Sequence, residues 1–205
     1  RTPAVGGQQV DIQGVNGTYN EVLLPLFGRH QGRNAALALA AFEAFHRFEV
    51  EVEDELVREA FAAVRSPGRL EPVPRSEQAL IVLDGAHNPA GIASLADALT
   101  TEFAFERRVV VLGVLDDKDV EAMVAALVGV ADHVVAVPPD NVRAADPERI
   151  ARACATHALS VEVAADVEEA IDLASGVTRP ADGIVVTGSL YLVGEAREAL
   201  GLDPA

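Results

Sequence analysis

The chain has 205 residues, half of them hydrophobic, and 32 acids against 16 lysines and arginines leave a formal charge of −16. That length suits one domain with a full core plus an appendage, and the acidic balance argues against nucleic acid as a partner, because binding it relies on neutralising phosphates. No apolar stretch approaches the ~20 residues that span a bilayer and no basic start precedes a signal-like core, so no membrane partner and a cytoplasmic location are expected.

Residues 5–10, 15–19 and 21–26 alternate like short strands, broken at Gly6-Gly7, Gly14 and Asn16-Gly17, the last a strong hairpin signal. Three such strands cannot make a core by themselves, so they are expected to pack loosely or on a neighbour. Helices follow over 34–46 and 52–64, the second with apolar positions at Leu56, Ala60, Phe61 and Val64.

From Pro67 the alternation is regular. Strands are predicted at 68–72, 79–83, 108–114, 133–137, 161–163 and 183–186, with helices at 89–101, 120–130, 147–159, 167–175 and about 191–200. Strand–helix alternation with short loops means an α/β fold, a mostly parallel sheet with helices on both faces. The one cysteine, Cys154, falls in the 147–159 helix, excludes an internal disulfide and reads as a small core hydrophobe.

One junction stands out. The apolar run from Leu80 to Leu83 stops at Asp84-Gly85-Ala86-His87, after which Asn88 is a good N-cap and Pro89 suits the first helical position. Asp84 and His87 therefore fall at the carboxyl end of a buried strand, beside the free N–H groups of a helix start. Two more junctions, Asp116–Asp119 and Thr187-Gly188-Ser189, follow strands of the same kind. In a parallel sheet all such ends lie on one side, so the three loops can line one crevice.

Five short motifs then occur in one order: Gly28-Arg29-His30-Gln31 with Asn34, Pro67-Gly68-Arg69-Leu70-Glu71, the Asp84–Pro89 loop, Gly113 with Asp117-Lys118-Asp119, and Thr187-Gly188-Ser189-Leu190-Tyr191. Together they resemble the bifunctional dihydrofolate synthase/folylpolyglutamate synthase family of the Mur-ligase group, over nearly the whole chain but only the last two fifths or so of a family member. A phosphate loop needs glycines to bring N–H groups onto phosphates and a lysine to reach them. The one lysine here, Lys118, follows two aspartates instead. The resemblance thus implies a carboxy-terminal portion of the enzyme: residues 1–66 as a short β/α remnant of the central ATPase domain, and residues 67–205 as the Rossmann-like Mur-ligase C-terminal domain.

What the resemblance implies for chemistry is acyl-phosphate ligation. ATP activates a carboxylate of dihydropteroate or a reduced folate, and the amine of L-glutamate attacks it. The glutamate pocket would be Asp84, His87, Ser189 and Tyr191, with Asp84 and His87 catalytic; Asn34, Arg69 and Asp84 would meet the nucleotide. ATP and Mg2+ are the implied cofactors, the metal held mainly by an amino-terminal ATPase portion that is the implied protein partner, so no metal ligand is expected here and the chain alone should be inactive. Without the family, Asn34 reads as a helix cap, Arg69 as a solvated arginine, and Asp117 and Lys118 as a capped turn or as ligand contacts. Two other readings stay open: a stand-alone nucleotide- or amino-acid-binding module, and a fragment of another Mur-type amino-acid ligase.

Overall fold

The computed structural model describes residues 1–46 and 53–203, whose contacts divide into two units, Arg1–Ser66 and Pro67–Ala205. In the first, β1 (Thr2–Ala4), β2 (Gly7–Gln13) and β3 (Thr18–Leu24) form an antiparallel sheet in that order. The Asn16-Gly17 turn is where the sequence puts it, closed by the Gly14 N–H on the Gly17 carbonyl at 2.8 Å. Val15 lies in that turn instead of opening a strand, and the first hairpin turns at Val5-Gly6, where the sequence reading placed a strand.

Helix α1 (Arg29–Phe45) buries Gln31, Ala35, Leu39 and Glu43, one face at four-residue spacing. It starts five residues before the expected position, so Asn34 lies more than a turn inside it and is not a cap. The signal was not local: Gly28 caps the helix without a side-chain bond, and the buried Gln8 amide fixes the entry by donating to the Leu26 and Gly28 carbonyls at 2.8 and 3.0 Å. Helix α2 (Asp54–Ala62) turns Val57 inward and leaves Leu56 outside, which corrects the expected stripe. Val52, the expected start of this helix, lies outside the described residues.

Of the two expectations for these strands, loose packing or packing on a neighbour, the first fails: the sheet packs on the helices that follow it. Val10, Ile12, Tyr19, Val22 and Leu24 from the sheet close over Ala35, Leu39 and Val57 from the helices, and all are buried. Glu43 ties the hairpin to α1, its carboxylate accepting the Val15 and Asn16 N–H groups at 2.8 and 3.2 Å. Glu43→Ala removes both acceptors and should cost this unit about 1–3 kcal/mol. Faster amide exchange in β2 and β3, with no change in the second unit, is the expected reading.

In the second unit, β4 (Glu71–Val73) runs antiparallel to β5 (Leu80–Asp84), and β5, β9 (Gly183–Thr187), β6 (Arg108–Leu112), β7 (His133–Ala136) and β8 (Val161–Val163) follow in parallel. The inner strands are buried along their length, as the apolar runs require. One face presents Ile81, Leu83, Val109, Val111, Ile184 and Val186 to helices α6 (Val167–Gly176) and α7 (Leu190–Ala199). By the two-residue period, Val82, Val110, Val134 and Val185 face the other way, toward the layer of α3 (Pro89–Thr101), α4 (Val120–Ala125) and α5 (Pro147–Thr156).

Local signals place these helices. Asn88, Asp119, Asp146, Asp166 and Ser189 each cap one by accepting a backbone N–H, and Pro89 and Pro147 occupy first turns. Helix α4 ends at Ala125, five residues short of the predicted stretch, as the chain unwinds toward Gly129 at φ 79°. Cys154 is buried in α5, where desolvation pushes its thiol up to about 11, which suits a core hydrophobe and not a nucleophile. No helix among the described residues is long and apolar enough to cross a membrane.

Candidate functional site

The strand order itself builds the site. Strand β9, last in the chain, inserts between β5 and β6, so the loops after β5, β9 and β6 lie side by side at one edge of the sheet. Backbone bonds zip them together: the Gly188 N–H donates to the Ala86 carbonyl at 3.0 Å, the Gly113 N–H to the Thr187 carbonyl at 3.1 Å, and the Gly85 N–H to the Gly68 carbonyl at 2.8 Å. Gly188 has φ 105°, and a Cβ there would come within 2.6 Å of the Gly113 carbonyl oxygen. Only glycine lets the two loops approach this closely.

A cleft of about 140 Å³ opens where the loops meet. His87 lines it from the first loop, Leu115 and Lys118 from the second, and Gly188, Ser189, Leu190 and Tyr191 from the third. His87 is exposed, which rules out a buried core imidazole, and its Nδ1 lies 2.9 Å from the Gly85 carbonyl oxygen. A carbonyl only accepts, so Nδ1 carries the hydrogen and the neutral ring offers Nε2 as a base. Ser189 is buried at the start of α7, where its Oγ accepts the Tyr191 N–H at 3.1 Å and its hydroxyl hydrogen is left to donate.

Lys118 brings the positive charge. Its Nζ sits 2.7 Å from Asp117 Oδ2, and that hydrogen bond holds the Asp117 carboxyl below the usual range. An ammonium, a serine hydroxyl and the N-terminus of a ten-residue helix around one cavity make a setting for a carboxylate, with a histidine nitrogen nearby for an amine.

Asp84 stands apart from this lining. It is 7% exposed and ends β5; Oδ1 accepts the Ala86 N–H and Oδ2 the Leu70 N–H, both at 2.9 Å. It therefore staples the segment Arg69-Leu70 to the loop that carries His87. Arg69 is half-buried with Nη1 over Gly85, so that a Cβ on Gly85 would meet it at 2.5 Å. Tyr191 is 49% exposed at the rim. Asn34 belongs to the first unit, where its Nδ2 donates to Gln31 Oε1 at 3.0 Å. His87, Ser189 and Tyr191 are thus brought into one cleft that Asp84 does not line; Lys118, open in the sequence between a capped turn and a ligand contact, joins them, and Leu115 is new. Among the described residues no group of three or more histidines, cysteines or acids gathers to hold a metal ion.

Residues 68–190 match the family described as Mur ligase, glutamate ligase domain. The chain belongs to that family. The glutamate ligase domain supplies all three loops of the cleft, from Gly85 to Leu190. Among relatives of known function, the dihydrofolate synthase/folylpolyglutamate synthase of Mycobacterium tuberculosis is 42% identical over 221 residues, covering 100% of this chain and 45% of that protein. The folylpolyglutamate synthase of Lacticaseibacillus casei is 34% identical over 195 residues, or 95% of this chain and 44% of the relative. The chain spans less than half the length of these relatives.

Solved structures agree on the fold. The Mycobacterium tuberculosis folylpolyglutamate synthase complexed with ADP superposes with a TM-score of 0.92 at 42% identity, over 100% of this chain and 47% of that one. The Escherichia coli FolC in complex with DHPP and ADP gives 0.79 at 28% identity, over 91% and 42%. The expectation of an α/β fold of the Mur-ligase C-terminal type therefore holds, as does the resemblance to the folate-ligase branch.

Proposed function

We propose that this glutamate ligase domain and the unit before it form the carboxy-terminal portion of an ATP-dependent ligase that adds L-glutamate to dihydropteroate or tetrahydrofolate. The observation that carries the reading is the convergence of His87, Lys118 and Ser189 on one cleft at the N-terminus of α7, in a chain 42% identical to a dihydrofolate synthase/folylpolyglutamate synthase.

In this reading the acyl phosphate is made from ATP on the folate carboxylate, and L-glutamate waits in the cleft. Lys118, Ser189 and the helix N-terminus hold a glutamate carboxylate, and Tyr191 closes the rim. His87 takes the proton that the α-amine loses as it attacks the carbonyl, through the Nε2 left free by the Nδ1 bond to Gly85. The resulting tetrahedral intermediate collapses with loss of phosphate. Asp84 keeps the loop in shape by accepting the Ala86 and Leu70 N–H groups, and we give the proton to His87 because His87 lines the cleft and Asp84 does not.

Arg69 suits a phosphate through its planar fork of donors, and Asn34 suits the base of ATP; both assignments rest on the family resemblance. Magnesium, by the same resemblance, would be held mainly by the amino-terminal portion. The first unit supports a missing partner portion: Leu37, Phe42, Phe45 and Leu56 are exposed, and a cavity of about 350 Å³ between α1 and α2 is lined by Leu39, Phe42, Leu56 and Phe61. An amino-terminal ATPase portion would cover such a face.

Fusing the amino-terminal portion of the Mycobacterium tuberculosis relative ahead of this chain tests the reading. ATP-dependent glutamate addition should appear in the fusion and stay at background in the 205-residue chain. A robust rate from the chain alone, surviving a second affinity step and lost on His87→Ala, would overturn the division of labour.

A further inference from the structure

Lys118 reaches the cleft from an awkward place. Its loop carries Asp116, Asp117 and Asp119, with Glu121 one residue into α4, so four carboxylates crowd a short stretch around the chain's one lysine, which pairs with Asp117 alone. What offsets them comes from a different element. Arg149, in the first turn of α5, extends across to the loop: its Nη1 donates to the Asp116 carbonyl at 3.2 Å and its Nη2 to the Lys118 carbonyl at 3.4 Å. The same guanidinium takes Glu121 through Nε at 3.3 Å and Nη2 at 3.0 Å, and lies 3.6 Å from the Asp116 carboxylate.

These bonds have a geometric consequence. A guanidinium presents its N–H groups in a fixed planar fork, so Arg149 sets the spacing between two carbonyls that flank Asp117 and the first turn of α4. Two backbone bonds pin the base of the loop, from the Asp116 N–H to the Arg143 carbonyl at 2.8 Å and from the Ala145 N–H to the Val114 carbonyl at 2.9 Å. Within the loop the Lys118 N–H donates to the Leu115 carbonyl at 3.1 Å and the Val120 N–H to the Lys118 carbonyl at 3.0 Å, which shapes the turn; the Arg149 fork is the side-chain grip that ties this turn to α5. Arg149 itself does not line the cleft.

We infer that Arg149 is a positioning residue, holding the loop after β6 so that the Lys118 ammonium faces the cleft and can take a carboxylate there. The contact with a carboxylate rests on the glutamate reading above; the hold on Lys118 does not. Arginine is needed and not merely a cation, because a lysine can balance the four acids but cannot span both carbonyls and Glu121.

The chain's single lysine makes the test direct. Reductive methylation with 13C-formaldehyde labels Lys118 and the amino terminus alone, two signals that separate by their titration. In Arg149→Met the Lys118 signal should move to the position of a solvent-exposed lysine. Backbone amides 116–119 should exchange about tenfold faster, while those of β6 keep their protection and report that the fold is intact. Arg149→Lys, followed by amide exchange alone, should be as loose as Arg149→Met. Glu121→Gln, which loosens the far end of the fork, should give a smaller shift in the same direction and serves if Arg149→Met does not fold.

L-Glutamate is then titrated into both proteins. It should displace the Lys118 signal in the wild type and bind about tenfold more weakly in Arg149→Met, the worth of one charge-assisted hydrogen bond. If glutamate leaves wild-type Lys118 unmoved while Arg149→Met still frees it, the pocket reading falls and the positioning role stands. A Lys118 signal and loop amides unchanged in Arg149→Met, or a loop restored in full by Arg149→Lys, would overturn the inference.

Discussion

Replacing Gly188 with alanine should destabilise the glutamate ligase domain by about 2–6 kcal/mol, the sum of a strained backbone and an overpacked contact. The φ of 105° is one that L-residues rarely adopt, and the new Cβ would press on the Gly113 carbonyl oxygen at 2.6 Å, with Leu112 Cδ1 and Val114 Cγ1 at 2.8 and 2.9 Å. A backbone oxygen cannot swing aside as a flexible side chain can. Relief must come from separating the loops after β9 and β6, which moves Ser189 away from Lys118. Glutamate use should fall with stability. Gly194, six residues later in α7, meets nothing within 4 Å, so Gly194→Ala should instead stabilise by about 0.5–1 kcal/mol as a helix-interior glycine is replaced. Thermal melts of the two variants side by side check the argument. Equal melting points would mean that the loops have slack the close approach does not suggest.

The second large effect is on the chemistry. In a protein carrying both portions, His87→Ala and Ser189→Ala should each weaken glutamate use about ten- to a hundredfold, since a hydrogen bond to a charged group is worth roughly 1.5–3 kcal/mol. ATP affinity should barely change. Because the two side chains act on one small ligand in one cleft, their effects should not add, and a coupling beyond about 0.5 kcal/mol is expected in the double variant. Asn34→Ala should show the opposite preference and weaken ATP first. Steady-state kinetics with each substrate varied in turn separate these outcomes. Simple additivity, or a loss of ATP affinity on His87→Ala, would remove His87 from the glutamate pocket.

The part of the fold that sequence made legible is the part governed by local rules. Helix α3 begins and ends where expected because Asn88 and Pro89 write its start in adjacent residues. The inner strands were readable because a strand buried on both faces must be apolar throughout. The crevice followed from topology alone: parallel strands put their carboxyl ends on one side, and three loops with polar residues had to share it. What escaped was set by contacts distant in sequence. Helix α1 starts at Arg29 because Gln8, twenty residues earlier, holds the Gly28 carbonyl. The inward turn of Val57 depends on a sheet that the helix meets only in the folded unit.

Within the site, the same division holds. His87 and Ser189 could be found from motif position, and both line the cleft. Asp84 drew attention as an acid at a strand end, yet its partner is the Leu70 N–H fourteen residues away, and that bond makes it a staple. Lys118 was ambiguous because an aspartate-rich turn explains it equally well until the β9 insertion brings Ser189 beside it. The sequence signal that marks it is rarity: it is the one lysine in a chain with 32 acids.

Binding of L-glutamate in this cleft is read by an amide NMR titration of the 205-residue chain with L-glutamate, with D-glutamate and sodium acetate as controls. L-Glutamate should give saturable shifts at His87, Lys118, Ser189 and Tyr191, the controls weaker ones, and Lys118→Met should lose the response. Shifts that match those of acetate, or that gather on α6 while His87, Lys118 and Ser189 stay unmoved, would contradict it.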